Sequence, residues 1–319
     1  MEEFLNNALF SLKRSAIRVY NQKAKQTPGC ISLTLGEPDF ETPLSVKEEA
    51  KVSLDRGDTH YIANNGSALL LEKISEFEKE KNGLDYKADE IIVTVGATEG
   101  LFTALFGVIN PGDEVLVPVP AFGLYESIIT MCRGKFVPLD TSKNSFEISR
   151  EMIEGAITEK TKAIILNSPT NPTGCVLSRE SLENIHNAVK DRNIFVICDD
   201  VYRSLIYTDS YESFSSFKDL KKKIIVIQSF SKPYAMTGWR MGYLMADAEI
   251  KKHLELVHQF TVVSTVSFSQ SACIKALETD VSPMVEEYNK RRLFVLKRLS
   301  EIGLETTEPL GGFYAFPSI

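Results

Sequence analysis

The sequence predicts an α/β fold in which helices cover a mostly parallel sheet of seven strands and a smaller domain lies beside it. The chain has 319 residues, a length that favours about two domains. Seven short apolar, β-branched runs alternate with segments of helical pattern. These runs are continuously apolar, as expected when helices cover both faces of a sheet. With 43% hydrophobic and 25% charged residues, the composition fits a large buried core.

The predicted elements follow one another along the chain. Residues 1–26 are predicted to be helical, and residues 31–43 to form an irregular segment with glycine and proline. The predicted strands are 91–95, 114–117, 136–139, 163–166, 194–198, 224–227 and 241–245. Predicted helices include 97–108, 122–131, 178–190 and a long charged helix over 281–301. A last strand is predicted over residues 313–316.

Bulk properties argue against several classes of protein. The net charge is −7 and no basic run is longer than three residues, as in Lys221–Lys223, so nucleic acid is not expected as a partner. No apolar run approaches the ~18 residues needed to cross a membrane, and the first residues do not resemble a signal peptide. The five cysteines are scattered and odd in number, which favours reduced thiols and a cytoplasmic protein. The four histidines show no zinc spacing, so no metal site is predicted.

The most informative segment lies directly after the predicted strand 224–227. Two serine hydroxyls, those of Ser229 and Ser231, lie close to the amine of Lys232, and the guanidinium of Arg240 follows. A lysine amine can form an imine with an aldehyde cofactor, while serines and an arginine can hold its phosphate. Arginine suits this role because its planar fork meets two phosphate oxygens at once. The segment therefore predicts a phosphorylated aldehyde cofactor attached at Lys232.

Polar residues also end three of the apolar runs, at Asn167, Asp199 and Ser229. Ligands of parallel sheets bind at the carboxyl ends of the strands, so these residues are expected to converge on one site. A carboxylate at the end of a buried strand is costly unless it is paired. The partner of Asp199 could be the backbone or a lysine, or it could be the protonated pyridine nitrogen of a cofactor.

Two turn-rich segments are candidates for the same site. Gly96–Gly100 lies between a strand and a helix, where amides and the Thr98 hydroxyl could cradle an anion or simply form a capped turn. Residues 167–174 are dense in turn formers and include Asn171. This segment could be an ordinary loop, or its prolines could hold the Asn171 amide rigidly against a ring hydroxyl.

Three aromatic residues complete the candidates. Tyr202 lies three residues after Asp199 and could reach a ring oxygen, and Phe122 could stack on a ring face. Taken alone, each of these two is more often a core residue. Tyr61 lies in a loop near two glycines, where a phosphate contact is possible but not required.

Five motifs in order resemble the class I/II pyridoxal-phosphate aminotransferases of fold type I. They are Gly36-Glu37-Pro38-Asp39-Phe40 with Thr42-Pro43, Gly96-Ala97-Thr98, Asn171-Pro172-Thr173-Gly174, Asp199-Asp200-Val201-Tyr202, and the run from Ser229 to Arg240. The likeness extends from about residue 15 to residue 319. Within the family, the chain is most similar to the bacterial aminotransferase A group of N-acetyl-LL-diaminopimelate aminotransferases.

The resemblance implies a site for pyridoxal 5′-phosphate. Lys232 would carry the cofactor and serve as the catalytic base, Asp199 would pair with the ring nitrogen, and Tyr202 would bond the ring oxygen. Gly36 and Asn171 would touch the substrate. The remaining implied cofactor contacts are Asn171 at the ring oxygen, Phe122 on the ring face, Ala97, Thr98, Ser229, Ser231 and Arg240 at the phosphate, and Tyr61 at the phosphate of a neighbouring subunit.

The implied activity moves an amino group between an L-amino acid and a 2-oxo acid by a ping-pong mechanism. The substrate would be of N-acetyl-LL-diaminopimelate, aspartate or aromatic type, and the protein would be a homodimer. Residues 44–280 would form the large cofactor-binding domain, and residues 1–43 with 281–319 the small one.

The chain departs from the family pattern near its end. Family members continue beyond the segment that 312–317 resembles, and their continuation carries an arginine that binds the substrate carboxylate. Arg291, Arg292 and Arg298 fall on the predicted helix and are not assigned that role. The small domain is therefore expected to be incomplete, and loss of this positioning would weaken catalysis.

Three alternatives to an active aminotransferase stay open. A carbon–sulfur lyase would use the same lysine and carboxylate, and a truncated form would bind the cofactor with little turnover. A plain nucleotide-binding domain is disfavoured, because no phosphate-loop lysine motif or dinucleotide-binding glycine motif occurs in the sequence.

Overall fold

The computed structural model describes residues 4–12 and 16–319, and a seven-stranded sheet forms its centre. The strands are β1 (Ile91–Thr94), β2 (Glu114–Val119), β3 (Lys135–Asp140), β4 (Thr161–Asn167), β5 (Phe195–Asp199), β6 (Ile224–Ser229) and β7 (Gly242–Ala246). Their order in the sheet is β1-β7-β6-β5-β4-β2-β3. Adjacent strands are parallel, except that β7 is antiparallel to both β1 and β6. The predicted mostly parallel, seven-stranded sheet is therefore confirmed.

Ten α-helices accompany the sheet in the described part of the chain. They are α1 (Ala16–Gln26), α2 (Leu44–Asp55), α3 (Ala68–Asn82), α4 (Gly96–Val108), α5 (Leu124–Met131), α6 (Arg150–Ala156), α7 (Arg179–Val189), α8 (Ala248–Val262), α9 (Phe268–Leu277) and α10 (Ser282–Glu301). None is both long enough and apolar enough to cross a membrane. Local signals set their limits: the Ser67 hydroxyl caps the start of α3, and α3 ends at Gly83 in the left-handed conformation.

The continuous apolar strands supply two cores, one on each face of the sheet. Successive side chains of a strand point to opposite faces. In β4, Ile164 packs in a core with α2, α3, α7 and α9, whereas Ile165 packs in a core with α4, α5 and α8. Val196 and Ile197 divide between the same two cores in β5. Helices on both faces explain why these runs do not alternate with polar residues.

The ends of the chain meet in a third, smaller cluster. It joins Phe40, Tyr202, Tyr288 on α10, and Phe313 with Tyr314 near the end of the chain. Residues 31–43 contain no helix or strand, as predicted, and α10 confirms the predicted long helix. The predicted helix over residues 1–26 is found only over α1 and a 3-10 turn at residues 7–11, while residues 1–3 and 13–15 lie outside the described part. The division into two domains stays a prediction.

The predicted strand over residues 313–316 is wrong. The segment makes only isolated bridges on either side, between Ile206 and Gly311 and between Thr306 and Pro317. Gly312 has φ 68°, which turns the backbone out of the extended conformation just before the apolar residues. Phe313 and Tyr314 pack, partly buried, against the third cluster instead, whereas Phe316 is exposed.

Candidate active site

The carboxyl ends of β4, β5 and β6 bring the predicted site residues together around one cavity of about 890 Å³. Asn167 and Asp199 are register partners on neighbouring strands, and the Asn167 amide donates to the Asp199 carbonyl at 2.8 Å. Eleven of the twelve predicted site residues line the cavity: Gly36, Ala97, Thr98, Phe122, Asn171, Asp199, Tyr202, Ser229, Ser231, Lys232 and Arg240. The twelfth, Tyr61, does not.

Lys232 presents its amine to the cavity in a largely buried setting. Its Nζ donates to the Gly36 carbonyl at 2.6 Å and lies 5.7 Å and 5.4 Å from the ring centres of Tyr202 and Phe313. Burial lowers the pKa of Lys232 to about 8, against the opposing charges of Glu37 and Asp199. The neutral amine, which is the nucleophilic form, is therefore accessible close to neutral pH.

Asp199 is buried, and only one of its two carboxylate oxygens is paired within the described residues. Oδ2 accepts a hydrogen bond from the Tyr125 hydroxyl at 2.6 Å, whereas Oδ1 is buried without a partner. Burial raises the pKa of Asp199 to about 6, although the Tyr125 hydrogen bond opposes the shift. A buried oxygen without a donor is costly. The site therefore fits a bound group that presents an N–H to this oxygen.

Tyr202 and Asn171 lie on the same side of the cavity. The Tyr202 hydroxyl is 2.5 Å from the Tyr314 hydroxyl, and burial raises the pKa of Tyr202 well above its ordinary value. The backbone N–H of Asn171 donates to the Asn167 side-chain oxygen at 2.8 Å. The hydrogen bond that Asn171 donates to Asn167 at the end of β4 thus holds its backbone, in addition to the neighbouring Pro172.

A cradle for an anion forms where α4 begins. Gly96 has φ 70°, and a Cβ atom there would lie 2.6 Å from the Arg240 guanidinium. A Cβ atom on Gly242 would lie 2.6 Å from the Gln228 carbonyl and 3.0 Å from the Ala97 nitrogen. The guanidinium and the first amides of α4 can therefore approach one anion closely, as helix starts favour.

Serine groups continue the cradle on the β6 side. The backbone N–H of Ser231 donates to the Ser229 hydroxyl oxygen at 3.0 Å, and both residues are buried. Arg240 itself is fixed by a bond from its Nη1 to the Thr237 carbonyl at 2.9 Å. Hydroxyls, amides and one guanidinium meeting at this end are the donors that a phosphate group requires.

The arginines of α10 are already paired with carboxylates. Arg291 lines the cavity, but it binds Asp39 at 2.8 Å and Glu287 at 2.9 Å. Arg292 binds Glu308 at 2.6 Å, and Arg298 binds Glu301. These contacts agree with the expectation that none of the three serves as a carboxylate clamp.

Tyr61 lies in the loop between α2 and α3, with its side chain 88% exposed. His258 on α8 holds this loop by donating from Nε2 to the Asn64 carbonyl at 2.9 Å, and its other ring nitrogen lies 3.1 Å from Glu99. Ser267 adds a hydrogen bond to the Asp58 carbonyl at 2.6 Å. The loop is thus anchored, and Tyr61 is exposed and does not line the cavity of its own chain.

Several functional residues were not predicted from the sequence. Tyr125 and Asn167 are now seen to position Asp199 and Asn171, Tyr314 contacts Tyr202, and His258 joins the Tyr61 loop to α4. Tyr125 carries no separate signal, because it lies in an apolar helical pattern. Asn167, at the end of an apolar run, was expected to converge on the site, but its hydrogen bond with Asn171 was not predicted.

Comparisons with known proteins support the same reading. The family model described as aminotransferase class I and II matches residues 28–319. A relative from Bacillus subtilis is described as a probable N-acetyl-LL-diaminopimelate aminotransferase. It is 40% identical over an alignment of 323 positions that covers 100% of this chain and 82% of the relative. A probable aspartate aminotransferase of Methanocaldococcus jannaschii is 40% identical over 318 residues, 97% of this chain and 83% of the relative.

A solved structure agrees with these relatives. The crystal structure of an aspartate aminotransferase from Thermotoga maritima superposes with a TM-score of 0.94 at 37% identity. The match covers 99% of this chain and 85% of that one. Similarity at this level extends through the sheet and the cavity together.

Proposed function

The chain belongs to the class I and II aminotransferases, and from this premise we propose that its cavity binds pyridoxal 5′-phosphate and transfers amino groups in a ping-pong cycle. The family uses this cofactor. The observation that carries the proposal is the pairing of Lys232 with Asp199 in one cavity, where the amine is largely buried and one carboxylate oxygen lacks a donor. A protonated pyridine nitrogen is a donor of the kind that Asp199 Oδ1 requires.

The residues that would hold the cofactor divide by the group they contact. Asp199 would accept from the ring nitrogen, Tyr202 and Asn171 would bond the ring oxygen, and the exposed face of Phe122 would contact the ring. The phosphate would be held by Ala97, Thr98, Ser229, Ser231 and Arg240. When bound, the cofactor supplies an electron sink that stabilises negative charge at the α-carbon of a substrate.

The protein contributes charge, positioning and proton transfer. The Asp199 carboxylate would favour a protonated, positively charged donor opposite its Oδ1, because this buried oxygen has no hydrogen-bond partner among the described residues. Lys232, with its lowered pKa, would act as general base: its amine would remove the proton from the substrate α-carbon and deliver it to the cofactor. The Gly36 carbonyl holds the Lys232 amine at 2.6 Å and so keeps the base at the substrate side of the cavity.

The substrate class is part of the proposal. Relatives of similar identity include proteins described as N-acetyl-LL-diaminopimelate, aspartate and aromatic-amino-acid aminotransferases. We therefore propose an amino donor from one of these three groups. A panel of donors with 2-oxoglutarate as acceptor would rank them by kcat/KM.

A homodimer is also proposed. Tyr61 projects from an anchored loop, and Phe260, two residues beyond His258 on α8, is 83% exposed. Exposed aromatic residues beside a fixed loop are the surface that a second copy would cover. Tyr61 would then reach the phosphate in the neighbouring copy. Light scattering of the purified protein tests the dimer by its molar mass in solution. Tyr61→Phe should weaken cofactor binding and leave this molar mass unchanged. A cytoplasmic location stays a prediction.

The test of the main proposal is an absorbance spectrum of the purified protein with cofactor, before and after glutamate is added. A cofactor band that changes on addition of glutamate supports amino transfer. The Lys232→Ala variant should lose the band. A band that is unchanged by any amino donor would instead favour a form with little turnover, and release of pyruvate and ammonia from cystathionine would favour a lyase.

A further inference from the structure

Tyr314 contacts the candidate site from a part of the chain that the sequence assigned to a strand. Its hydroxyl lies 2.5 Å from the Tyr202 hydroxyl, and the two rings meet edge to face with centres 5.5 Å apart. Tyr314 lines the same cavity as Lys232. No role was predicted for it.

The position of the Tyr314 hydroxyl is tightly set. A Cβ atom on Gly36 would lie only 2.3 Å from it, so the hydroxyl occupies the space that a side chain would fill. The segment before Tyr314 is held by two hydrogen bonds, from the Gly312 N–H to the Leu205 carbonyl at 2.8 Å and from the Tyr207 hydroxyl to the Gly312 carbonyl at 2.5 Å. The hydroxyl therefore has little freedom to leave Tyr202.

Hydrogen-bond capacity limits how the two phenols can share this contact. A phenol donates one hydrogen and can accept at its oxygen. If Tyr202 gives its hydrogen to a bound cofactor, that hydrogen is not available to Tyr314. The short contact is then preserved only if Tyr314 donates to the Tyr202 oxygen. In this arrangement the hydrogen bond from Tyr314 polarises the Tyr202 hydroxyl, and so strengthens the bond that Tyr202 donates to the cofactor.

We propose that Tyr314 is a positioning residue that donates to the Tyr202 oxygen, and thereby directs the Tyr202 hydrogen to the ring oxygen of the cofactor. The proposal rests on the proposed binding of pyridoxal 5′-phosphate. It gives the segment after α10 an effect on the cofactor through one hydroxyl, which acts by way of Tyr202.

The consequence appears in how the bound cofactor titrates. The ring oxygen carries more unshared negative charge in the high-pH form, so hydrogen bonds donated to it favour that form. Removing the Tyr314 hydroxyl weakens the Tyr202 donor and should raise the pH midpoint of the cofactor's absorbance change by about 0.3 to 0.5 pH unit. The charged and titratable groups that act on the pair are Asp199 and Tyr125, and Lys232, whose amine lies 5.7 Å from the Tyr202 ring, faces Glu37 and Arg240 in turn.

The test compares Tyr314→Phe with the wild type by pH titration of cofactor absorbance in the absence of substrate. Tyr288→Phe is the matched control, because Tyr288 lies in the same aromatic cluster and its buried hydroxyl has no hydrogen-bond partner among the described residues. We expect the midpoint to rise in Tyr314→Phe and to stay at the wild-type value in Tyr288→Phe. Circular dichroism confirms that each variant is folded.

A second background separates the pathway from a general effect. In Tyr202→Phe the midpoint should already be raised, and adding Tyr314→Phe should change it no further, since the chain of donors is broken. An unchanged midpoint in Tyr314→Phe, or an equal shift with and without the Tyr202 hydroxyl, would overturn the proposal. Absence of any Lys232-dependent cofactor band in the wild type would instead overturn the proposed function itself.

Discussion

The inner and outer walls of the cavity are held in place by different means. On the inner wall, Asp199, Ser229 and Ser231 are buried at or just beyond the ends of β5 and β6. The outer wall comes from residues 31–43 and 302–319, which contain no regular strand, and Leu33 lines the cavity although it is 91% exposed. The proposed cofactor contacts thus lie largely at the ends of the sheet strands, whereas the proposed substrate side is formed by segments that isolated bonds hold. Changes on the inner wall should therefore have much larger effects.

The largest effect is expected from Asp199→Asn, which keeps the shape of the side chain but removes its charge. We expect kcat to fall by a factor on the order of 10² to 10³, because a buried charge that faces the reacting group is lost. Steady-state kinetics with saturating cofactor measures this. A loss of less than tenfold would mean that Asp199 does not act on the cofactor ring.

A second prediction concerns the buried contacts of His258, which join α8 to the start of α4 and to the Tyr61 loop. His258 is fully buried between Glu99, in the first turn of α4, and the Asn64 carbonyl. His258→Ala leaves the Asn64 carbonyl without its donor and removes a contact of Glu99, which still accepts from Thr103 and the Val95 N–H. The substitution should lower the free energy of unfolding by about 2–3 kcal/mol. Urea denaturation measures it.

His253 provides the matched control for that measurement. It lies on the same helix but is exposed, so His253→Ala should change the free energy of unfolding by less than about 0.5 kcal/mol. Equal losses in the two variants would show that the effect comes from the helix rather than from the buried contacts.

The pKa of Asp199 predicts a pH effect in the cofactor-free protein. Its pKa is about 6 in the folded chain against an ordinary value of 3.8, so the folded state retains a proton that the unfolded state has released. The contribution of Asp199 to stability therefore falls as pH rises from about 4 to above 6, by roughly 1 kcal/mol between pH 5 and pH 7. Urea denaturation at both pH values, compared with Asp199→Asn, measures the difference. The prediction would be contradicted if the free energy of unfolding changed between pH 5 and pH 7 by the same amount in the wild type and in Asp199→Asn.

The smallest effect is expected on the outer wall. The side chains of Arg291 and Asp39 are 45% and 64% exposed, and exposed ion pairs contribute little. Arg291→Ala should change the free energy of unfolding by less than about 1 kcal/mol and should raise KM less than tenfold. A larger rise in KM, with unchanged stability, would identify Arg291 as a substrate ligand and would weaken the contrast between the walls.

The sequence predicted the inner wall far better than the outer one. Apolar runs that end in Asn167, Asp199 and Ser229 locate the carboxyl edge of the sheet, because parallel strands bring their ends together whatever the loops do. Residues such as Tyr125 and His258 escaped prediction because their partners come from distant elements, and a phenol or imidazole within an apolar helix resembles an ordinary core residue. The 313–316 segment was misassigned since its apolar pattern serves an aromatic cluster, and Gly312 turns the chain before any strand can pair.

Gly242 opens β7 where two neighbouring main chains pass it at bare-backbone separation, those of Gln228 and Ala97. Even a methyl group there would displace the Gln228 carbonyl or the start of α4. Substitutions meant to widen the substrate range of the enzyme should therefore not be tolerated at Gly242. Variation tolerated by the protein should accumulate around the rim, in segments such as residues 31–43, where new groups have room to be added.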